Sequence, residues 1–324
     1  MTSSLEPSRR MVVIGGGTMG SGIALVFAAG GWAVDLVEPA EAARATLPTY
    51  LRESMARMQV SADERAIRIV PAIANVDWKG VALVCESATE DLPTKRRIFA
   101  ELERVAPSDI PLASNSSSYV ISDIGEGLAT QRRMLGLHFL MPAQFVPIVE
   151  VVGSAQTGSE TIDGVCEIMR AVGKRPIRVG EDVIGFLVNR IQAALMREAL
   201  DLIDRGVASA EDVDAAVRYG FGFRYAACGP IVQKEHSGWE ISTTLYRKVF
   251  PTLCNDAAPA QVLEQQLAAG HYGMKTGRGF MAWDKDKIGR EKARYEKALR
   301  AALDILQADD SHAEPVRTSK HETG

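Results

Sequence analysis

His138 and Glu150 are the two side chains in this sequence whose types and separation suggest proton transfer. The chain has five histidines, and two of them, His312 and His321, lie in a polar C-terminal stretch. Glu150 interrupts the apolar run Val146 to Val152. A carboxylate buried in such a run needs a partner, because burying it alone is costly. An imidazole is a suitable one, and the pair makes a general base whose second nitrogen is held by a carboxylate. On these residues alone, a structural histidine and an outward-facing glutamate fit equally well.

A second group of residues suits a dinucleotide. Val12-Val13-Ile14 runs into Gly15-x-Gly17-x-x-Gly20, with Thr18 and Met19 inside the motif, and an apolar stretch follows from Ile23 to Ala29. The order strand, glycine turn, helix makes the motif informative. Gly15 is expected to make the tight turn. Gly17 would let a pyrophosphate touch the backbone, and Gly20 would let the helix pack close to the strand. The helix N-terminus then offers free N–H groups to the phosphates. A glycine-rich turn without a ligand is the plainer reading of a bare motif.

Glu38 ends the next strand-like run, Trp32 to Val37, about 20 residues past the glycines, where the adenine ribose lies in such folds. A carboxylate there accepts hydrogen bonds from ribose hydroxyls and repels a 2′-phosphate. Pro39, Ala40 and Glu41 follow, so no arginine is expected to be waiting for that phosphate. The reading is NAD rather than NADP. Asp35 is the plainer alternative for that carboxylate.

These residues need a scaffold, and the pattern supplies one. Further strands are expected at Val81–Glu86, Pro111–Ser114, Met134–Phe139, Pro147–Val152 and Arg175–Val179. Helices are expected at Glu41–Met58, with a kink or break at Pro48, at Pro93–Val105 and at Ser159–Val172. Ser61-x-x-Glu64 reads as a capping box. Strands alternating with helices predict a doubly wound, mostly parallel α/β sheet over residues 1–182. The texture then turns helical: Gly185–Asp204, a helix starting at Ser209-x-x-Asp212, Pro259–Ala268 and Lys285–Leu306. Residues 183–308 are read as an all-helical domain and 309–324 as a disordered tail. Ligands of open α/β sheets sit beyond the carboxyl ends of the strands. That places Gly15–Gly20, Glu38, Glu86–Glu90 and the polar loop Asn115–Ser118 around one cleft, which the helical domain could close.

Length and composition narrow the class. The chain has 324 residues, 46% hydrophobic and 24% charged, with a net charge of -4. That length suggests two domains, and the balance gives no reason to expect nucleic acid. No apolar run approaches the ~18 residues of a membrane span, and no apolar signal core precedes the first strand. Cys85, Cys166, Cys228 and Cys254 are widely spaced without a CxxC, as reduced thiols of a cytoplasmic enzyme are. Cys228, Glu235, His236 and Cys254 match no metal-ligand spacing, so no metal is expected.

From about Arg10 to Trp283 the chain resembles the L-3-hydroxyacyl-CoA dehydrogenase family. The matching stretches are Ile14–Gly20, Glu90-Asp91-Leu92-x-x-Lys95, Ala113–Ser118, His138-Phe139 with Pro142, Val149–Val152, Gly185–Arg190 and Lys275–Phe280. The resemblance implies a Rossmann domain followed by a helical domain that dimerises. It implies that His138 removes the hydroxyl proton while C3 gives a hydride to NAD, and that Glu150 orients His138. Ser117 and Asn189 would contact the reacting oxygen or the His138 region. Glu90, Lys95, Asn115, Ser117 and Lys275 would line the cofactor. Composition alone makes Lys95 and Lys275 solvated surface lysines.

The sequence departs from the family in places. The usual His-Phe-Phe-Asn-Pro is here His138-Phe139-Leu140-Met141-Pro142. Methionine cannot make the hydrogen bonds of an amide. The segment between Glu38 and Ser87 is shorter than the helical hairpin with which the acyl-CoA enzymes hold CoA. Only Arg44, Arg52 and Arg57 supply positive charge between Glu38 and Met58. Tyr219–Tyr225 with Gly229-Pro230, and Cys85–Glu90, resemble the branch acting on small free hydroxy acids, such as gulonate and carnitine dehydrogenases. The substrate is therefore expected to be an L-3-hydroxyacyl-CoA or a small 3-hydroxy carboxylate. A catalytically idle NAD-binding or structural protein on the same fold, crystallin-like, is the alternative of a different class. A lysine base would need a lysine at the start of the Gly185 helix, and none is there.

Overall fold

Met11, Val12, Val13 and Ile14 are all apolar and all buried. In the computed structural model, which describes residues 9–58 and 63–312, they form the body of β1 (Arg10–Ile14). Alternation decides their surroundings. Met11 and Val13 belong to one core layer, Val12 and Ile14 to the other, as the period of two in a strand requires. The chain continues through α1 (Thr18–Ala29), β2 (Ala33–Val37), α2 (Glu41–Met58), β3 (Ile67–Val70), β4 (Val81–Glu86) and α3 (Leu92–Val105). It goes on through β5 (Leu112–Ser114), α4 (Ile121–Ile124), β6 (Met134–Phe139), β7 (Ile148–Gly153), α5 (Ser159–Ala171) and β8 (Arg175–Val179).

Among the described residues these strands form one eight-stranded sheet in the order β3-β2-β1-β4-β5-β6-β7-β8. Strands β3 to β6 run parallel, β7 is antiparallel to β6, and β8 is parallel to β7. The order reverses between β1 and β4, the point where open α/β sheets open a crevice for ligands. Burying the Leu, Val and Phe side chains of the two layers contributes about 1.5–3 kcal/mol each.

One strand was not expected, and helix α2 spans its expected range. Strand β3 is not evident in the sequence, because its four residues include Arg68 and it is an edge strand with a short apolar signal. Helix α2 runs through Pro48 from Glu41 to Met58. Pro48 is exposed, so the carbonyl it leaves unbonded can reach water, while Leu47 and Leu51 hold the helix to the core. The Ser61 capping box lies outside the described residues.

The chain divides into two compact units after Arg190, against an expected boundary at residue 182. The second contains most of α6 (Val188–Asp204), then α7 (Ala210–Ala215), α8 (Gly222–Tyr225), α9 (Pro230–Glu235), α10 (Trp239–Val249), α11 (Gln261–Ala268) and α12 (Lys285–His312). The side chain of Ser209 accepts from the Asp212 N–H and caps α7. Helix α12 continues to His312, past Asp309 where a disordered tail was expected. Helices α9 and α10 had no separate expectation, being short and mostly exposed. Among the described residues of this unit only Ala199 and Ser242 are buried.

Candidate active site

The glycine turn is built as its sequence requires, by three different means. Gly15 has φ +103°, a conformation side chains disfavour. A Cβ on Gly20 would lie 1.8 Å from the Gly15 carbonyl oxygen. A Cβ on Gly17 would meet nothing within 4 Å. Gly17 is also the N-cap of α1, and no side chain caps that helix. The open space over Gly17 and the uncapped N–H groups at Thr18, Met19 and Gly20 fit a pyrophosphate.

Glu38, just past the carboxyl end of β2, is aimed by two backbone N–H groups. Gly16 N–H donates to Oε2 and Ala40 N–H to Oε1, both at 2.9 Å. A carboxylate fixed this way keeps lone pairs for ribose hydroxyls. Asp35 is otherwise occupied. It is buried and receives two bonds from Arg68, at 2.8 and 2.6 Å. Arg44 corrects the reading that no arginine stands near Glu38. Its Nη1 donates to the carbonyls of Glu38 and Pro39. The sequence shows Arg44 but not that the first turn of α2 brings it back onto the carbonyls of Glu38 and Pro39.

The second half of the site comes from the antiparallel pair β6–β7. Its register sets His138 directly opposite Glu150, and alternation puts both side chains on one face. His138 Nδ1 lies 2.7 Å from Glu150 Oε2, and both residues are buried. The other carboxylate oxygen, Oε1, accepts from the N–H groups of Leu187 and Val188, each at 2.9 Å. Those donors exist because the chain turns through Gly185 (φ +77°) and Phe186 (φ +47°) into α6. A left-handed phenylalanine costs about 1–2 kcal/mol. Its ring is buried with its centroid 5.5 Å from that of His138, tilted edgewise. Burial alone would raise the Glu150 pKa, but the bonds from His138, Val188 and Leu187 hold it below the ordinary value. Beside a charged Glu150, Nδ1 of His138 is the donor, and in the neutral ring Nε2 carries the lone pair.

Between these halves lies a polar network. Lys95 is 1% exposed, so it is not a solvated surface lysine. Its ammonium sits 2.9 and 3.1 Å from the oxygens of buried Glu86 and 3.1 Å from Glu90 Oε2. Ser114 Oγ and Ala88 N–H also donate to Glu86. Glu90 Oε1 gathers the hydroxyls of Ser116 and Ser118 and the N–H groups of Ser117 and Ser118. Burial would raise the Glu90 pKa, yet the bonds from Ser116 and Ser118, with Lys95 nearby, bring it down to about 2. The network thus folds the Asn115–Ser118 loop around one carboxylate. Asn115 ties that loop to the His138 strand, its Oδ1 accepting from Phe139 N–H at 2.8 Å. Glu86 was legible by the argument used for Glu150, a carboxylate ending an apolar run.

Ser117 and Asn189 are both half-buried, Asn189 on the first turn of α6 one residue after Val188. Lys275 belongs to the second unit, where its ammonium lies 5.2 Å from the centre of the Tyr272 ring. Lys174 went unnoticed in the sequence. It is buried and donates to the carbonyls of Ala143 and Val146, in the loop between His138 and Glu150.

A glycine turn open at Gly17, a carboxylate fixed at the end of β2 and a buried His–Glu pair on one sheet fit an NAD-dependent dehydrogenase. Residues 10–183 match the family model for the NAD-binding domain of 3-hydroxyacyl-CoA dehydrogenase, and residues 185–283 match its C-terminal domain. The chain belongs to the 3-hydroxyacyl-CoA dehydrogenase family. It is 29% identical to 5-formyl-3-hydroxy-2-methylpyridine 4-carboxylate 5-dehydrogenase of Mesorhizobium japonicum, over 92% of this chain and 98% of that protein. It is 31% identical to human mitochondrial hydroxyacyl-coenzyme A dehydrogenase, over 84% of this chain and 90% of that one. A crystal structure of a 5-dehydrogenase of that same pyridine carboxylate, described as an NAD+-dependent dismutase, superposes with a TM-score of 0.83 at 28% identity. That match covers 92% of this chain and 98% of the other.

Proposed function

We propose that the protein oxidises, or in reverse forms, a secondary alcohol β to the carbonyl of a small free carboxylate, with His138 as the base. The observation that carries this reading is the buried His138–Glu150 pair, whose far oxygen is fixed by the start of α6. Bound NAD supplies the hydride acceptor. Nε2 of His138 takes the hydroxyl proton, and Glu150 holds the ring and stabilises the imidazolium that results. Ser117 and Asn189 are assigned to the reacting oxygen. Glu90 and Lys95 act on the cofactor side by shaping the Asn115–Ser118 loop.

Two observations favour a free acid over a CoA thioester. Within the described residues, one helix, α2, and one short turn connect β2 to β3. A cavity of about 510 Å³ between the glycine turn and α2 is lined by Thr18, Thr46, Thr49, Tyr50 and Glu53 among others, with no lysine or arginine. A CoA phosphate would find no cation there. The similarity to a dehydrogenase of a pyridine carboxylate supports the same side, and the human acyl-CoA relative supports the thioester. The test is the ratio of catalytic efficiencies for one L-3-hydroxy acid with and without CoA. We expect the two within about tenfold. A thioester preference of about a thousandfold, roughly 4 kcal/mol of transition-state binding, would overturn the free-acid reading. No NADH from any hydroxy acid or thioester would favour the idle, structural alternative.

The second unit supports a homodimer. Large apolar side chains such as Ile191, Met196, Phe223, Ile231 and Leu245 are exposed on it. All four cysteines are unpaired and no helix among the described residues is long and apolar enough to cross a membrane. A cytoplasmic location is in keeping with both.

A further inference from the structure

The turn that carries Glu38 holds two opposite charges with different commitments. The Glu38 carboxylate is pinned by the N–H groups of Gly16 and Ala40. Arg44, half-buried on α2, folds back on the same turn. Its Nη1 lies 2.9 Å from the Glu38 carbonyl oxygen and 2.6 Å from that of Pro39. Both bonds leave from Nη1, so the donors on Nε and Nη2 remain for another acceptor. The acceptors in use are neutral carbonyls, which bind a guanidinium more weakly than an ionised phosphate does.

Other cations at this edge of the sheet are not in that position. Arg68, on β3, is bonded twice to Asp35. Arg10, on β1, is bonded to Asp77 and Asp35. Their carboxylate partners hold them, whereas among the described residues Arg44 is held only by the backbone it supports. The residue beside the ribose-reading acid is thus an arginine, the type that accommodates a 2′-phosphate in NADP enzymes. While Glu38 is charged, its carboxylate repels that phosphate and accepts ribose hydroxyls, so the acid sets the preference.

We propose that Arg44 is a second cofactor-specificity residue: it braces the turn that aims Glu38 at the ribose of NAD, and it takes the 2′-phosphate of NADP once that carboxylate is gone. This rests on the cofactor being NAD and deepens it. It does not depend on which alcohol is the substrate.

The experiment measures NADH and NADPH dissociation constants by nicotinamide fluorescence in the full-length protein. The variants are Glu38→Ser, Arg44→Ala and the double variant, with Glu38→Gln as a same-size control for folding. Glu38→Ser and Glu38→Gln should each bind NADPH about tenfold or more tightly than the wild type does, the scale of one charge-assisted hydrogen bond. Adding Arg44→Ala to Glu38→Ser should erase that gain. The gained affinity should fall with ionic strength in Glu38→Ser and lose that dependence in the double variant. In the wild-type background Arg44→Ala should weaken NADH only a few-fold, by loosening the turn. An NADPH gain that is the same with and without Arg44 would overturn the proposal. So would Glu38 variants that still bind NADH and gain nothing for NADPH.

Discussion

Lys174 shows what a single buried charge does when its partners are neutral. Its ammonium donates to two carbonyls of the loop joining His138 to Glu150, and burial lowers its pKa from 10.5 to about 8. The folded protein therefore binds fewer protons at this site than the unfolded chain between about pH 8 and 10.5. Stability contributed by this position is lowest below pH 8, where the buried ammonium carries its full desolvation cost, and rises with pH through that window. We expect the stability of the wild type relative to Lys174→Met to grow from pH 7 to pH 10, as read from urea midpoints. A difference that stays flat across that range would contradict the assignment. His138 and Glu150 were legible in the sequence because a carboxylate in an apolar run demands a partner. Lys174 gave no such signal, because its partners are backbone carbonyls, which no side-chain pattern reports. The burial of Lys95 was equally hidden, since Glu86 meets it only when β4 and α3 pack.

At the scale of the element, the glycine turn separates packing from binding. A Cβ on Gly20 would collide with the backbone oxygen of Gly15, and backbone cannot move aside cheaply. Gly20→Ala should therefore lower both stability, by about 1–3 kcal/mol or more, and NADH affinity. Gly17→Ala meets open space, so its melting temperature should stay near that of the wild type while NADH binding is lost to a methyl group in the path of the pyrophosphate. Thermal unfolding and NADH titration of the two variants check this pair. Equal loss of stability in both would contradict it. The strand–turn–helix order that frames this element was readable because each residue type carries a backbone requirement. Strand β3 was not, because an edge strand of four residues with an exposed arginine lacks a continuous apolar run. Helix α2 keeps its expected range because the cost of Pro48 is local and the burial of Leu47 and Leu51 outweighs it.

At the scale of the molecule, the two units are built on different terms. The first has two buried layers about its sheet. The second buries only Ala199 and Ser242 among its described residues, too little to offset the entropy of ordering its helices. The proposed homodimer would cover those helices, and light scattering at micromolar concentration should then give a dimer of two 35.0 kDa chains. A stable monomer there would contradict it. The sequence showed that the chain turns helical but not how little the helices bury, because amphipathic spacing is the same whether the partner is the chain itself or its copy. The central claim is that His138, held by Glu150, is the base of an NAD-dependent dehydrogenase. Its most direct test is turnover and NADH affinity measured together in His138→Asn. The account predicts NADH binding within a few-fold of the wild type and turnover lower by about 10²–10⁴-fold, the usual contribution of a positioned base. Turnover equal to that of the wild type would contradict it.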